Sequence, residues 1–427
     1  MTKQTTDAAP PARPPAVSGP RPLALHMTVE TSTWLSSLAA LTASSGGLPP
    51  LRPELAERAR DLEKALAGVP PEAFYRAVAA EARTRLDRFA EGVRKYRAAK
   101  RVPRPAEPPV IWREGSSRLL DYGAVPETAT AEGQQAPVVL VVPSLVNRYW
   151  VLDLDHDQSL LRSLAARGLR PLVVDWDAPR GEETAYTFTD YIAGRLSRAL
   201  DFACDLNGGP VALVGYCMGG LLSLALAQLR LKDVRALVMM AAPWDFHVAY
   251  GDLVRVLDGM MPRLEDTVAR AGVLPVDMMQ TMFAGLDPYM TPEKFRRFAA
   301  MAPDTLEARR FVQLEDWLND GVVLPGPVAL ECFRDWHLKN TPPRGEWIVA
   351  GDPILPAKVT CPALVVVPEK DHIVPPASSR ALAAALPHAE TLSVVAGHIG
   401  LVSGGRSRKA LFAPLAGWLL AHAEPES

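Results

Sequence analysis

Val211-Ala-Leu-Val-Gly-Tyr-Cys-Met-Gly-Gly-Leu-Leu-Ser-Leu-Ala-Leu-Ala227 reads as a strand, a tight turn and a helix. Residues 211–214 form an apolar run with the β-branched content of a buried strand, and the Ala/Leu run after Gly220 has the composition of a helix. Between them, Gly215 and Gly219 flank Cys217. The spacing matches the nucleophile elbow G-x-S-x-G, with cysteine in the serine position. The central residue of such an elbow holds a strained backbone, so the residues two positions away must be small. It then stands above the sheet at a helix N-terminus, where the dipole favours a thiolate, the reactive form of cysteine. A cysteine in an apolar segment is more often a small buried hydrophobe. The strand before Cys217 and the helix after it supply the context that the catalytic reading requires.

Outward from the elbow, strand and helix signals alternate. Residues 138–142, 170–176, 235–243, 363–368 and 390–395 read as strands, while 158–168 and 190–204 read as helices. Continuous apolar strands alternating with helices imply a mostly parallel sheet with helices on both faces. Together with the elbow, this predicts an α/β-hydrolase fold over 106–427. The stretch of about 244–358 breaks the alternation and is rich in Met, Phe and Trp, among them Met260, Met261, Met278, Met279, Met282, Phe283, Trp317 and Trp336. It is expected to be a helical cap insertion over the active-site edge. Its methionines suit either a flexible apolar substrate or plain packing. Residues 29–105 are expected to be an N-terminal helical extension that ends in a proline-rich linker, and 1–28 a disordered proline-rich tail. The amphipathic helices of the extension suit contact with an outside surface or a subunit, or packing back on the catalytic domain as scaffold. The basic run Arg94-Lys-Tyr-Arg-Ala-Ala-Lys-Arg101 reads as a solvated helix end more readily than as an anion site.

Composition narrows the function classes. The chain has 427 residues, 22% charged and 48% hydrophobic, with a formal net charge of −2, so nothing global points to nucleic acid. Its four cysteines, Cys204, Cys217, Cys332 and Cys361, form neither a CxxC pair nor a metal-ligand spacing, which fits a reducing compartment and no metal. No apolar run reaches the length of a membrane span, and the N-terminus lacks a signal core. A cytoplasmic protein without a resident cofactor is expected.

A cysteine nucleophile needs a base, and the base needs an orienting acid. In the order nucleophile, acid, histidine, two segments qualify. Residues 365–375 run from a strand into a turn carrying Asp371, and residues 394–400 run from a strand into a glycine-flanked His398. Asp371 and His398 are preferred, with Glu369 and His372 as their competitors. The oxyanion requires two backbone donors. Met218, after the nucleophile, supplies one; Leu145 or Val146, in the loop after the first strong strand, supplies the other.

Here the chain resembles the polyhydroxyalkanoate synthases. Val142-Pro-Ser-Leu-Val-Asn-Arg-Tyr-Trp-Val-Leu-Asp-Leu154 looks like their strand-loop signature, and Gly215-Tyr-Cys-Met-Gly-Gly220 like their G-x-C-x-G-G box. Glu369-Lys-Asp-His-Ile-Val-Pro-Pro-Ala-Ser-Ser379 and Gly397-His-Ile-Gly400 resemble their acid and histidine segments. With Val312-Gln-Leu-Glu-Asp-Trp-Leu318, these look most like the short class III catalytic subunits. The resemblance implies Cys217 as the acylated nucleophile, His398 as its base and Asp371 as the third member. It further implies a 3-hydroxyacyl-CoA substrate, a polyester granule as product and surface, and a homodimer or a complex with a second synthase subunit. Ser144 departs from the signature, where a second proline is usual.

A thiol nucleophile suits acyl transfer from a thioester, because thiol–thioester exchange is nearly balanced and the acyl-enzyme keeps its energy for ester formation. The alternative is a cysteine hydrolase on the same scaffold, a thioesterase, lactonase or polyester depolymerase. A third reading is a granule-binding protein that keeps the fold without the chemistry.

Overall fold

The computed structural model describes residues 19–43, 53–125, 136–248 and 251–423. They form two compact units, Met1–Arg101 with Pro288–Asp320, and Val102–Asp287 with Gly321–Ser427.

The second unit is built on an eight-stranded sheet. Its strands in chain order are β1 (Val110–Glu114), β2 (Ser117–Asp121), β3 (Val138–Val142), β4 (Arg170–Asp175), β5 (Val211–Tyr216), β6 (Val234–Met240), β7 (Ala363–Pro368) and β8 (Ala389–Val394). Their order across the sheet is β1-β2-β4-β3-β5-β6-β7-β8. The pairs from β4 to β8 are parallel, and only β1–β2 and β2–β4 are antiparallel. Strands β3, β5 and β7 are buried at every position, as their unbroken apolar runs require of strands covered on both faces. The helix Met218–Leu229 follows β5 and packs on β3, β5 and β6, with every residue from Met218 to Ala227 buried. The expected α/β-hydrolase architecture is present. The β1–β2 hairpin at the edge is an addition that the apolar runs did not announce.

The segment expected as a cap, about 244–358, is divided between the units. Residues 251–286 and 321 onward stay with the sheet, and most of the methionines there serve as packing. Met261 and Met279 are buried in the main core, with Met278, Met282 and Phe283 packed against it. Beside them, Phe188 stacks on Trp336 at 4.2 Å, and Trp347 meets Trp336 edge-on at 5.1 Å.

Pro288–Asp320 joins the N-terminal helices instead. Three helices precede it, α1 (Leu23–Ala43), α2 (Pro53–Leu66) and α3 (Pro71–Ala98). Phe89, Val93 and Tyr96 of α3 share a core with Phe295, Phe298, Ala308 and Val312. Tyr96 donates to Asp316 (2.6 Å), and Arg101 pairs with the same carboxylate (3.0 Å). Lys95 donates to the carbonyls of Phe298 (3.1 Å), Ala299 (3.2 Å) and Met301, so part of the basic run caps the C-terminus of the helix Met290–Ala300. The expected tail, 1–28, lies outside the described residues as far as residue 18, and from Leu23 the chain is helix, not tail. An ion pair and burial hold that start. His26 and Glu30 are buried, and Glu30 pairs with Arg296 at 2.6 Å. Among the described residues no helix is long and apolar enough to cross a membrane.

One half-buried carboxyl gives the sheet unit a pH-dependent stability. Glu331 accepts from Trp347 Nε1 (3.3 Å) and from the Phe188 backbone, and the charge of Arg334 acts on it only weakly. Burial pushes its pKa up to about 7. A carboxyl raised in the folded state binds more protons folded than unfolded between about pH 4.5 and 7, so stability falls as pH rises through that window. Glu331→Gln keeps an acceptor without the charge. It is expected to raise unfolding free energy at pH 8 by about 2 kcal/mol and to change little at pH 4.5, read by urea melts at both pH values.

Candidate active site

Strand β5 ends at Tyr216 and the next helix starts at Met218, which leaves Cys217 alone at the turn with φ 56° and ψ −127°. A non-glycine residue held there costs about 1–3 kcal/mol and persists only where its surroundings over-determine it. They do so here. A Cβ on Gly219 would overlap the carbonyl oxygen of Val142 on β3, and one on Gly215 would overlap the carbonyl oxygen of Gly219. The two glycines therefore let the helix close on the sheet. The Cys217 N–H is fixed to the Met240 carbonyl at 2.9 Å, and its own carbonyl accepts from Gly220 at 2.9 Å.

Asp371 and His398 come from the turns after β7 and β8, neighbouring parallel strands that reach the same sheet edge as the elbow. The loops are tied together by Glu369 N–H to Val394 carbonyl (2.8 Å) and Lys370 N–H to Ala396 carbonyl (2.9 Å). His398 Nδ1 lies 2.7 Å from Asp371 Oδ2. A carboxylate only accepts, so Nδ1 carries the proton and Nε2 is left for Cys217, with which the ring also hydrogen-bonds. Asp371 is itself anchored, since its Oδ1 accepts from the N–H groups of Ile373 (2.8 Å) and Val374 (2.9 Å). Burial alone would lower the pKa of His398. The charge on Cys217 and the hydrogen bond to Asp371 outweigh it and push the imidazole up to about 10. Sulfur, imidazole and carboxylate thus form one line of proton donors and acceptors.

The competing residues are elsewhere engaged or exposed. Glu369 pairs with Arg380 at the surface (2.5 Å), and that hydrogen bond holds its carboxyl below the usual range. His372 is exposed on the turn. Of the four thiols, burial pushes Cys204 and Cys361 up to about 11 and Cys332 higher still, which keeps all three protonated.

The expected oxyanion donors divide. Met218 opens its helix, so its N–H has no intrahelical acceptor. The Val146 N–H is engaged by the Ser144 hydroxyl at 3.2 Å, whereas the Leu145 N–H has no hydrogen-bond partner among the described residues. Ser144, the departure from the usual signature, thus selects Leu145 as the second candidate donor. Trp176 Nε1 bonds the Pro143 carbonyl (3.0 Å) and holds the loop against the elbow. Farther along, Asp153 accepts from Arg162 (2.9 Å) and Tyr122 (2.8 Å) in a buried network, and Arg148 pairs with Asp177. These signature residues build the loop rather than line the nucleophile.

Two neighbours of Cys217 and His398 escape sequence reasoning. Tyr216 stacks its ring on His398, and Cys332 is buried close enough to feel the charge of Cys217. Tyr216 sits inside the elbow motif, but nothing in the motif says that it meets a residue 182 positions away.

The sheet and elbow agree with a family model. Residues 137–404 match the alpha/beta hydrolase fold family. Among curated relatives, the poly(3-hydroxyalkanoate) polymerase subunit PhaC of Allochromatium vinosum is 30% identical over 72% of this chain and 87% of its own length. The subunit of the same name from Synechocystis is 31% identical over 66% of this chain and 77% of its own. That of Haloferax mediterranei is 29% identical over 74% of this chain, and the chain spans 64% of its length. Their alignments are long enough to take in most of the sheet unit together with its elbow. The chain therefore belongs to the poly(3-hydroxyalkanoate) polymerase family of enzymes, on the α/β-hydrolase fold.

Proposed function

We propose that this chain is a polyhydroxyalkanoate synthase that polymerises 3-hydroxyacyl groups from CoA thioesters through an acyl-enzyme on Cys217. The observation that carries this reading is the thiol at a strained elbow in line with His398 and Asp371, in a chain of this family. At rest the Cys217 proton lies on His398 Nε2, the direction in which the raised imidazole pKa points, and the thiolate attacks the thioester carbonyl. Met218 and Leu145 N–H groups receive the oxyanion. Collapse breaks the C–S bond to CoA, and His398 returns the proton to the departing thiol. The products of this half are a Cys217 thioester and free CoA. In the second half, His398 takes the proton of a 3-hydroxyl, whose oxygen attacks the Cys217 thioester. An ester forms and the Cys217 thiol is restored.

No metal or resident cofactor enters this scheme; CoA arrives as part of the substrate. Assembly as a homodimer or with a second synthase subunit, and attachment to the growing polyester granule in the cytoplasm, belong to the same proposal. Supplying 3-hydroxybutyryl-CoA and following both free CoA and polymer tests it. CoA with polymer is the expected result. CoA with free hydroxy acid would make the chain a hydrolase, and neither product would leave a granule-binding protein.

A further inference from the structure

We infer that Tyr216 is a positioning residue for the reaction, because its ring stacks on the His398 imidazole while its hydroxyl bonds the His398 backbone carbonyl. The inference rests on the reading of Cys217 and His398 as an acting pair. The ring centroids are 5.4 Å apart with planes 30° from parallel, and the hydroxyl lies 3.1 Å from the carbonyl oxygen.

The need for such a clamp follows from where His398 sits. It belongs to neither strand nor helix, since β8 ends at Val394 and the next helix starts at Gly400. Asp371 grips one edge of the ring, but that bond alone leaves the ring free to swing about it. Tyr216 removes the freedom from a rigid base. It is the last residue of β5, 3% exposed, and adjacent in sequence to Cys217. The nucleophile and the clamp on its base are thus consecutive residues of one strand end, so the Cys217–His398 distance is set by a short, stiff path.

The clamp also acts on charge. Burial, then the negative charges of Cys217 and Asp371, hold the Tyr216 phenol well above its ordinary pKa, so it stays a donor through the working pH range. Its bond goes to a backbone carbonyl and does not depend on whether the imidazole is protonated. The π-face beside the ring favours the imidazolium over the neutral form. The charged or titratable groups facing His398 in this site are Cys217, Asp371 and Tyr216.

Two substitutions separate the hydroxyl from the ring. Tyr216→Phe is expected to lower kcat for CoA release about tenfold with KM within about twofold, and to leave the His398 titration in place. Tyr216→Leu is expected to lower kcat further and to move the His398 titration down by about a unit, followed by NMR of isotope-labelled histidine with His398→Gln as the assignment control. Thermal melting checks the fold, and if Tyr216→Leu does not fold, the kcat loss in Tyr216→Phe decides alone. Wild-type kcat and titration in both variants would overturn the inference. So would a kcat loss in Tyr216→Leu that only follows a fall in melting temperature while the titration stays put. The NMR readout needs no substrate, so an ordinary His398 titration in the wild type would instead mark the failure of the Cys217–His398 pair itself.

Discussion

Cys217→Ala is expected to abolish CoA release from 3-hydroxyacyl-CoA, a loss of roughly 10⁴-fold or more on the scale known for triad nucleophiles. The loss is chemical rather than structural. The elbow is imposed by Gly215, Gly219 and the Val142 carbonyl, none of which touches the sulfur's role, so the variant keeps its fold and φ near 56°. Cys217→Ser leaves little activity, because a hydroxyl in place of the thiol surrenders both the easy deprotonation and the balanced exchange with a thioester. Mass spectrometry after a substrate pulse should find the acyl group on Cys217. Acyl label on Cys204, Cys332 or Cys361 would sink the assignment, and burial, which holds those three thiols protonated, makes each a poor nucleophile.

The second large effect belongs to the base and its acid. His398→Gln removes the group placed to shuttle the Cys217 proton, and a fall of roughly 10³–10⁴-fold in kcat is expected. Asp371→Asn is nearly as severe for a different reason. An asparagine keeps the acceptor for the Ile373 and Val374 N–H groups but turns an N–H donor toward His398 Nδ1. The imidazole must then carry its proton on Nε2, the nitrogen that should accept from Cys217. Stability gives an independent check. The raised His398 pKa contributes stability that is fully present below about pH 6.5 and is lost as pH rises through about 10. The gap in unfolding free energy between wild type and His398→Gln should therefore narrow from pH 6 to pH 10. A gap that widens over this range would mean that the imidazole is held neutral.

The legible parts of this protein are those whose physics is local. The runs in β3, β5 and β7 are apolar at every position because both faces are covered, and no other element writes that pattern so briefly. The elbow is legible because a backbone at positive φ needs particular small neighbours at fixed spacing. Asp371 is legible because it follows such a strand, and His398 because it stands between Gly397 and Gly400 just past a strand. The hairpin β1–β2 hides because its strands are short and edge-placed, and Gly115-Ser116 is a slight turn signal beside the prolines just upstream. The union of Phe89 and Tyr96 with Phe295 and Phe298 hides for the opposite reason. It spans some 200 residues, and an aromatic helix face says that it packs without saying on what. The Ser144 hydroxyl that occupies the Val146 N–H, and the Tyr216 contact with His398, depend on distances of a few ångströms that no spacing rule carries.

The strained turn at Cys217 bears on how such an enzyme changes its chemistry. The distortion is stored in the main chain by glycines and a neighbouring strand's carbonyl, not by the side chain it presents. To the scaffold, the nucleophile is an exchangeable part. Swapping sulfur for oxygen alters one atom and leaves the mould that displays it intact. Exchanging that side chain should therefore alter the chemistry while the fold stays as it is.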